Sequence, residues 1–209
     1  MQEYNNDQEQ WEAIKTWWKA NGMQLVAVIV LGLVISFGYQ FWQQHKAQQA
    51  EKASFLYDQM LAGYANGSMK LFADLAKELE DNFSATPYAG IAALFEAKIA
   101  AEKGNSAGAL QKLQWAMDHA RGDSFRQIAR LRAARILLAQ QKPDAALSLL
   151  QKVDNKGYLP AINLVKGDIY LAQSKMADAR TAYQAALQAI PADQPLHADL
   201  QMRIIQLPS

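Results

Sequence analysis

The sequence predicts an all-α protein, with one N-terminal transmembrane helix followed by a solenoid of helical hairpins. Three observations carry that prediction. Twenty consecutive residues, Met23 to Trp42, hold no charged side chain. From Gln43 onward no convincing run alternates polar and apolar residues with period 2, so strands are not indicated. Finally, marker alanines 109, 146 and 179 recur with spacings of 37 and 33 residues, as in a degenerate helical repeat.

The apolar stretch, MQLVAVIVLGLVISFGYQFW, is long enough at about 1.5 Å of rise per residue to cross a bilayer core of about 30 Å. In lipid an unpaired amide costs several kcal/mol, so it must be helical. A cleavable signal would have a basic leader and a small-residue exit. Here the leader carries Glu3, Asp7, Glu9 and Glu12, and QQHKAQQAEK follows the span, which predicts a retained anchor. Three segments result: a leader at 1–22, the span at 23–42 and one domain at 43–209.

Residues 1–6 read as a disordered tail, and Asp7 with Gln10 as the capping box of a short surface helix. Trp11, Ile14 and Trp18 form its apolar stripe, and Asn21-Gly22 breaks it from the span. Trp17 and Trp18 on one side and Tyr39 and Trp42 on the other mark the two headgroup zones. Within the span, Gly32 and Ser36 form a small-xxx-small pair that another membrane helix could approach. Lys15 and Lys19 before the span balance Lys46 and Lys52 after it, so charge alone barely orients the chain; the free amino terminus favours a cytoplasmic leader.

Beyond residue 42 there are 19 Lys plus Arg against 16 Asp plus Glu, too small an excess to indicate nucleic acid. Cysteine is absent, which excludes disulfides and thiol chemistry. A first soluble helix runs over 47–65 with Ala53, Leu56, Met60 and Tyr64 on one face, and Asn66-Gly67 ends it. A second helix aligns Leu71, Leu75 and Leu79, and Thr86-Pro87 heads a third.

From Tyr158 to Pro191 the chain matches the 34-residue tetratricopeptide pattern. Gly167 takes the small position where two helices touch, Tyr170 follows, and Ala179, Tyr183, Ala186 and Pro191 stand at their expected places. The same spacing puts Ala134, Ala146, Leu150 and Val153 in one hairpin, and Ala97, Gly104, Ala109, Leu113 and Ala116 in another. Gly104-Asn105, Lys142-Pro143-Asp144 and Gln173-Ser174-Lys175 are the tight turns. A last helix over 194–207, with Leu196, Leu200, Ile204 and Leu207 in line, caps the stack.

No chemistry emerges from the motifs. His45, His119 and His197 are far apart, and no P-loop, GxGxxG, GxSxG or HExxH is present, so no catalytic, cofactor or metal site is expected. Asp123-Ser124 reads as a helix cap, and Arg121, Arg126, Arg130, Arg132 and Arg135 as a solvated, partly ion-paired surface.

In tetratricopeptide hairpins, positions 2, 5, 9 and 12 of the first helix line the concave side. Here they are Ile91, Leu94 and Lys98, then Ile128, Leu131, Arg135 and Leu138, then Ala161, Leu164, Asp168 and Leu171. The result is an apolar trough crossed by one polar row, suited to an apolar peptide or a partner helix unless the chain's own terminal helices fill it.

Taken together, the leader with Glu12-Ala13-Ile14-Lys15, the pair Trp17-Trp18, Ala20-Asn21-Gly22 and the exit Tyr39-Gln40-Phe41-Trp42 resemble the YfgM family, ancillary subunits of the bacterial Sec translocon. Leu164-Val165-Lys166-Gly167-Asp168, Ala179-Arg180 and Gln201-Met202-Arg203-Ile204 are similar too. The resemblance implies a single-pass protein of the bacterial inner membrane, with a cytoplasmic N-terminus and a periplasmic tetratricopeptide-like domain. Implied partners are the SecYEG translocon, a membrane-anchored periplasmic prolyl-isomerase-type chaperone, and unfolded periplasmic or outer-membrane client chains. The implied role is that of a protein-binding adaptor, with no catalytic residues to carry over. The competing expectation is a scaffold or regulatory subunit of another inner-membrane or envelope complex.

Overall fold

A computed structural model describes residues 3–208, with side chains from Gln10 onward, Ala13 excepted. Among the described residues there are nine α-helices and no strand: α1 (Glu3–Ala65), α2 (Met69–Asn82), α3 (Pro87–Glu102), α4 (Ser106–His119), α5 (Asp123–Ala139), α6 (Pro143–Leu149), α7 (Leu159–Ala172), α8 (Met176–Leu187) and α9 (Pro195–Gln206). Residues 1–48 and 49–209 form two compact units.

In the first unit α1 runs without interruption, which corrects three expectations. Residues 3–6 are helical, while residues 1 and 2 of the expected tail lie outside the described residues. Position 7 is interior to the helix rather than at its start. Asn21-Gly22 does not break it. The Asn21 amide donates to the Trp17 carbonyl at 3.1 Å, and the Trp18 indole lies against Gly22, where a Cβ would come within 3.1 Å of it. A helical glycine costs about 1 kcal/mol, less than the hydrogen bonds a break would forfeit.

From Met23 to Trp42 every large apolar side chain is exposed, between 39% and 84%. The chain itself therefore does not cover this surface, and α1 is long and apolar enough to cross a membrane. At the far end, Lys46 Nζ sits 3.1 Å from the Trp42 ring centroid and Gln43 donates to the Tyr39 hydroxyl at 2.7 Å. Gly32 stands open, with nothing within 4 Å of where its Cβ would be, and Ser36 is exposed one turn on.

The second unit is built from helical hairpins joined by one recurring turn. Gly67, Gly104, Gln141 and Ser174 each have φ between 59° and 73°, at spacings of 37, 37 and 33 residues. In each turn the next amide reaches back to a carbonyl in the last helical turn: Ser68 to Gly63, Asn105 to Ala100, Lys142 to Leu137 and Lys175 to Tyr170, all at 2.8–2.9 Å. Gln141 and Ser174 hold this left-handed conformation at about 1–2 kcal/mol each, so hairpin packing must favour it.

Gly67 reveals a hairpin the marker alanines did not show, formed by the end of α1 with α2. One 37-residue spacing earlier, Met60 stands where Ala97 and Ala134 do, and Phe72 where Ala109 and Ala146 do; both are buried. Phe72 joins Tyr64 and Phe95 in an aromatic cluster with centroids 4.9–5.7 Å apart.

Elsewhere the small positions act as expected. A Cβ on Gly167 would come within 2.3 Å of the Tyr183 ring, so glycine is what lets α7 and α8 close. Ala97, Ala109, Ala116, Ala134, Ala146, Leu150, Ala179 and Ala186 are all buried. Four successive clusters, rather than one central core, run from Ala53 and Met60 to Leu200 and Leu207.

Several apolar residues are placed otherwise than expected. Leu71 is 44% exposed and lies over Gly63, because α2 buries Phe72, Leu75, Ala76 and Leu79 instead. Val153 is exposed because α6 has already ended at Leu149, so helical spacing no longer applies. Leu196, in the first turn of α9, is also exposed.

Candidate functional site

The trough positions separate into two groups. In the first, Ile91, Leu94 and Lys98 of α3 and Ile128 of α5 meet Tyr57 and Leu61 of α1, Phe95 and Phe125 around a hollow of about 240 Å³ that Arg132 closes on one side. A second hollow of about 250 Å³ lies between α3, α4 and α5, lined by Ala97, Ala101, Leu113 and Ile136 with Lys98, Glu102, Arg132 and Arg135. Lys98 and Arg132 border both, so the two hollows form one groove with a basic divide.

Tyr57 and Leu61 were not anticipated. They are positions 5 and 9 of the hairpin that Gly67 closes, one period before Leu94 and Lys98. Carrying the 37-residue spacing one step further back would have found them. Leu94, although it lines the groove, is only 7% exposed; its carbonyl accepts from Arg132 at 3.2 Å.

The second group is enclosed by the chain's own helices. Leu131 is 5% exposed and packs with Ile162, Val165 and Ile169 of α7, Leu138 and Ala161 beside them. Leu164 packs against the cluster of Tyr183, Leu200 and Leu207. Asp168 accepts from the Tyr183 hydroxyl at 2.8 Å and from Arg203 of α9 at 3.0 Å. Burial, and then the Asp168 carboxylate, push the Tyr183 hydroxyl up to about 12. Leu171 is exposed beyond this contact. The trough is thus open at Ile91 and Lys98 of α3 and at Ile128 and Arg135 of α5, closed over Leu131 and Leu138 by α7, and occupied by α9 at its C-terminal end.

A tetratricopeptide repeat-like domain family matches residues 15–209. Three curated proteins named ancillary SecYEG translocon subunit are similar over most of the chain. That of Aggregatibacter actinomycetemcomitans is 32% identical over 86% of this chain and 88% of its own. The Haemophilus influenzae protein is 28% identical over 88% and 89%, and that of Escherichia coli K12 is 25% identical over 90% and 91%. This chain belongs to the ancillary SecYEG translocon subunit (YfgM) family. No solved structure matches it.

In this member of the YfgM family the polar clusters away from the groove tie helices together. Asp154, its side chain almost fully buried, binds Arg130 Nε at 2.6 Å with Arg126 at 3.8 Å, and its amide donates to buried Gln127 Oε1 at 2.9 Å. Of the five arginines expected on a solvated, partly ion-paired surface, Arg121, Arg132 and Arg135 are exposed and Arg126 is ion-paired, while Arg130, ion-paired too, is buried at 8% exposure. The expected cap is corrected as well: Gly122 precedes the helix, Asp123 is its first residue and pairs with Arg126, and the Ser124 hydroxyl accepts from Asn155 at 3.0 Å. Thr86 does precede α3, but its hydroxyl donates back to the Phe83 carbonyl at 2.7 Å.

Sequence spacing gave no sign of one further cluster. Lys112 of α4 binds Glu80 of α2 at 2.9 Å and Glu96 of α3 at 2.8 Å. Burial, with the Glu80 carboxyl beside it, pushes Glu96 up to about 7. Burial works to lower Lys112, but its bonds to Glu96 and Glu80 outweigh that and raise it. Neither carboxyl lines the groove, and among the described residues no three His, Asp or Glu are placed to share an ion.

Proposed function

We propose that this protein is a non-catalytic, membrane-anchored binding adaptor at the Sec translocon. It would span the inner membrane once, with residues 1–22 in the cytoplasm and 43–209 in the periplasm, and pass newly translocated chains to periplasmic chaperones. A membrane-anchored chaperone of the prolyl-isomerase type is the expected recipient. The observation that carries this reading is the match to relatives named translocon subunits across about nine-tenths of the chain, with the apolar part of α1 included. The α1–α3–α5 groove is the proposed contact surface, and Gly32 with Ser36 the proposed seat for a membrane helix of the translocon.

Anchoring makes weak groove contacts sufficient. Tethering converts each encounter at the exit site into an effectively intramolecular one, so the local concentration is set by the anchor rather than by intrinsic affinity. Client chains could then be held briefly and released.

The test is photocrosslinking in intact membranes from a photoreactive side chain at Ile128, which lines the open groove. Capture of a translocating chain, a translocon subunit or a periplasmic chaperone is the expected result. Capture confined to envelope-assembly or signalling components would favour the scaffold or regulatory alternative. Labelling of a cysteine placed at position 103 by a membrane-impermeant reagent, from the periplasmic side only, is expected for the proposed orientation.

A further inference from the structure

Helix α5 carries four arginines in two environments. Arg126 and Arg130 face Asp154, and Arg126 also holds Asp123. Arg132 and Arg135 line the groove, and among the described residues neither has a carboxylate within ion-pair distance. Lys98 beside them is paired with Glu102 at 3.7 Å, the one acidic side chain at this part of the wall. The groove therefore carries two uncompensated guanidinium charges in a wall that is otherwise largely apolar.

Both arginines are exposed, with donors free to meet a ligand at the groove. Arg132 is held by one hydrogen bond to the Leu94 carbonyl at 3.2 Å, and a guanidinium has five N–H donors, so several remain to be used. Arg132 lines both hollows, each of the size that seats a bulky apolar side chain. Arg135 borders the second hollow, nearly a full turn further along α5. The apolar wall beside the two arginines strengthens an ion pair made there relative to one made in open water.

We propose that the groove selects apolar segments that carry an acidic residue between two bulky side chains, the carboxylate lying on Arg132 and Arg135. This rests on the groove being the adaptor's contact surface and adds the chemistry by which it would choose. Basic or neutral apolar segments would bind more weakly, since Arg132 and Arg135 would then repel or go unpaired.

Full-length protein in neutral phosphatidylcholine nanodiscs, titrated with fluorescent peptides, tests this. The peptides place Glu, Gln or Lys between two leucines, and empty nanodiscs report partition into lipid. The Glu peptide is expected to bind about fivefold more tightly than the Gln peptide, with Lys weakest. Added salt should narrow that gap. Arg135→Gln should bring Glu and Gln together, and Arg135→Glu should reverse the order in favour of Lys, which a merely structural role for the arginine would not do. Equal binding of Glu and Gln, or an order unmoved by Arg135→Glu, overturns the inference. If Ile128→Ala weakens all three peptides while charge makes no difference, the groove reading survives and only the selectivity falls. If no peptide binds above empty nanodiscs, both fall.

Discussion

At α3 and α5, position 9 of the first repeat helix is Lys98 or Arg135, and both border the groove. At α7 the same position is Asp168, held by Tyr183 and by Arg203 of α9. At position 2 the contrast is the same: Ile91 and Ile128 line a hollow, whereas Ala161 is packed against the cluster of Ile162, Val165 and Ile169. A trough position thus has no fixed burial of its own. The next helix in the chain decides it, because a hairpin with one uncovered apolar face accepts whichever helix is nearest.

The most damaging way to break the closed end is Gly167→Ala. The added methyl would have to displace the Tyr183 ring, which is buried and anchored through its hydroxyl, so neither side can give way cheaply. A loss of about 3 kcal/mol is expected, at the upper end of overpacking effects. Thermal unfolding of the full-length protein should show it, and hydrogen exchange should place the loosening in α7–α9 with protection of α3–α5 retained. Uniform loss of protection would mean the two ends are one cooperative unit.

Asp168→Asn is milder and separates charge from packing. The amide oxygen can still accept from Tyr183, but the ion pair with Arg203 is lost, and Arg203 keeps Asp199 at 2.8 Å. About 1 kcal/mol of stability should go, since these side chains are partly exposed. Exchange should rise in α9 alone. An unchanged α9 would show that Leu200 and Leu207 hold the helix without the ion pair.

The contrast between the two ends also explains what the sequence could disclose. Hairpins marked by small residues, such as Gly167 with Tyr183, were legible because a missing side chain at fixed spacing has one packing consequence. The first hairpin was not, since Met60 and Phe72 fill the positions that alanine holds elsewhere, and its groove residues Tyr57 and Leu61 went unread with it. Ser174 stands inside an expected turn, but Gln141, one residue before the expected Lys142-Pro143-Asp144 turn, gave no signal, because its left-handed conformation is imposed by packing rather than by residue type. Asn21-Gly22 misled in the opposite sense: a local breaker is overruled inside a long helix whose hydrogen bonds it cannot replace. Long-range ion clusters are the least readable, since Glu80, Glu96 and Lys112 come together only once three helices have stacked.

That last cluster gives the subtlest test, because it joins α2, α3 and α4 behind the open groove. The folded state holds the Glu96 proton up to about 7, above the ordinary carboxyl range. The unfolded chain releases it first, so stability is greatest below about pH 4.5 as far as this group goes and declines as pH rises towards 7. Glu96→Gln keeps the shape and carries no titration, so the melting temperature of the variant should change less between about pH 5 and about pH 8 than that of the native chain. The effect is the smallest of the three, since Lys112 compensates the carboxylate once it ionises. A variant whose pH profile matches the native one would mean that Lys112 already keeps Glu96 charged, making the cluster a plain ion-paired strut. The α3–α5 wall would then owe nothing to pH, whereas a flattened profile would mean that acidification tightens the helices on which the groove is built.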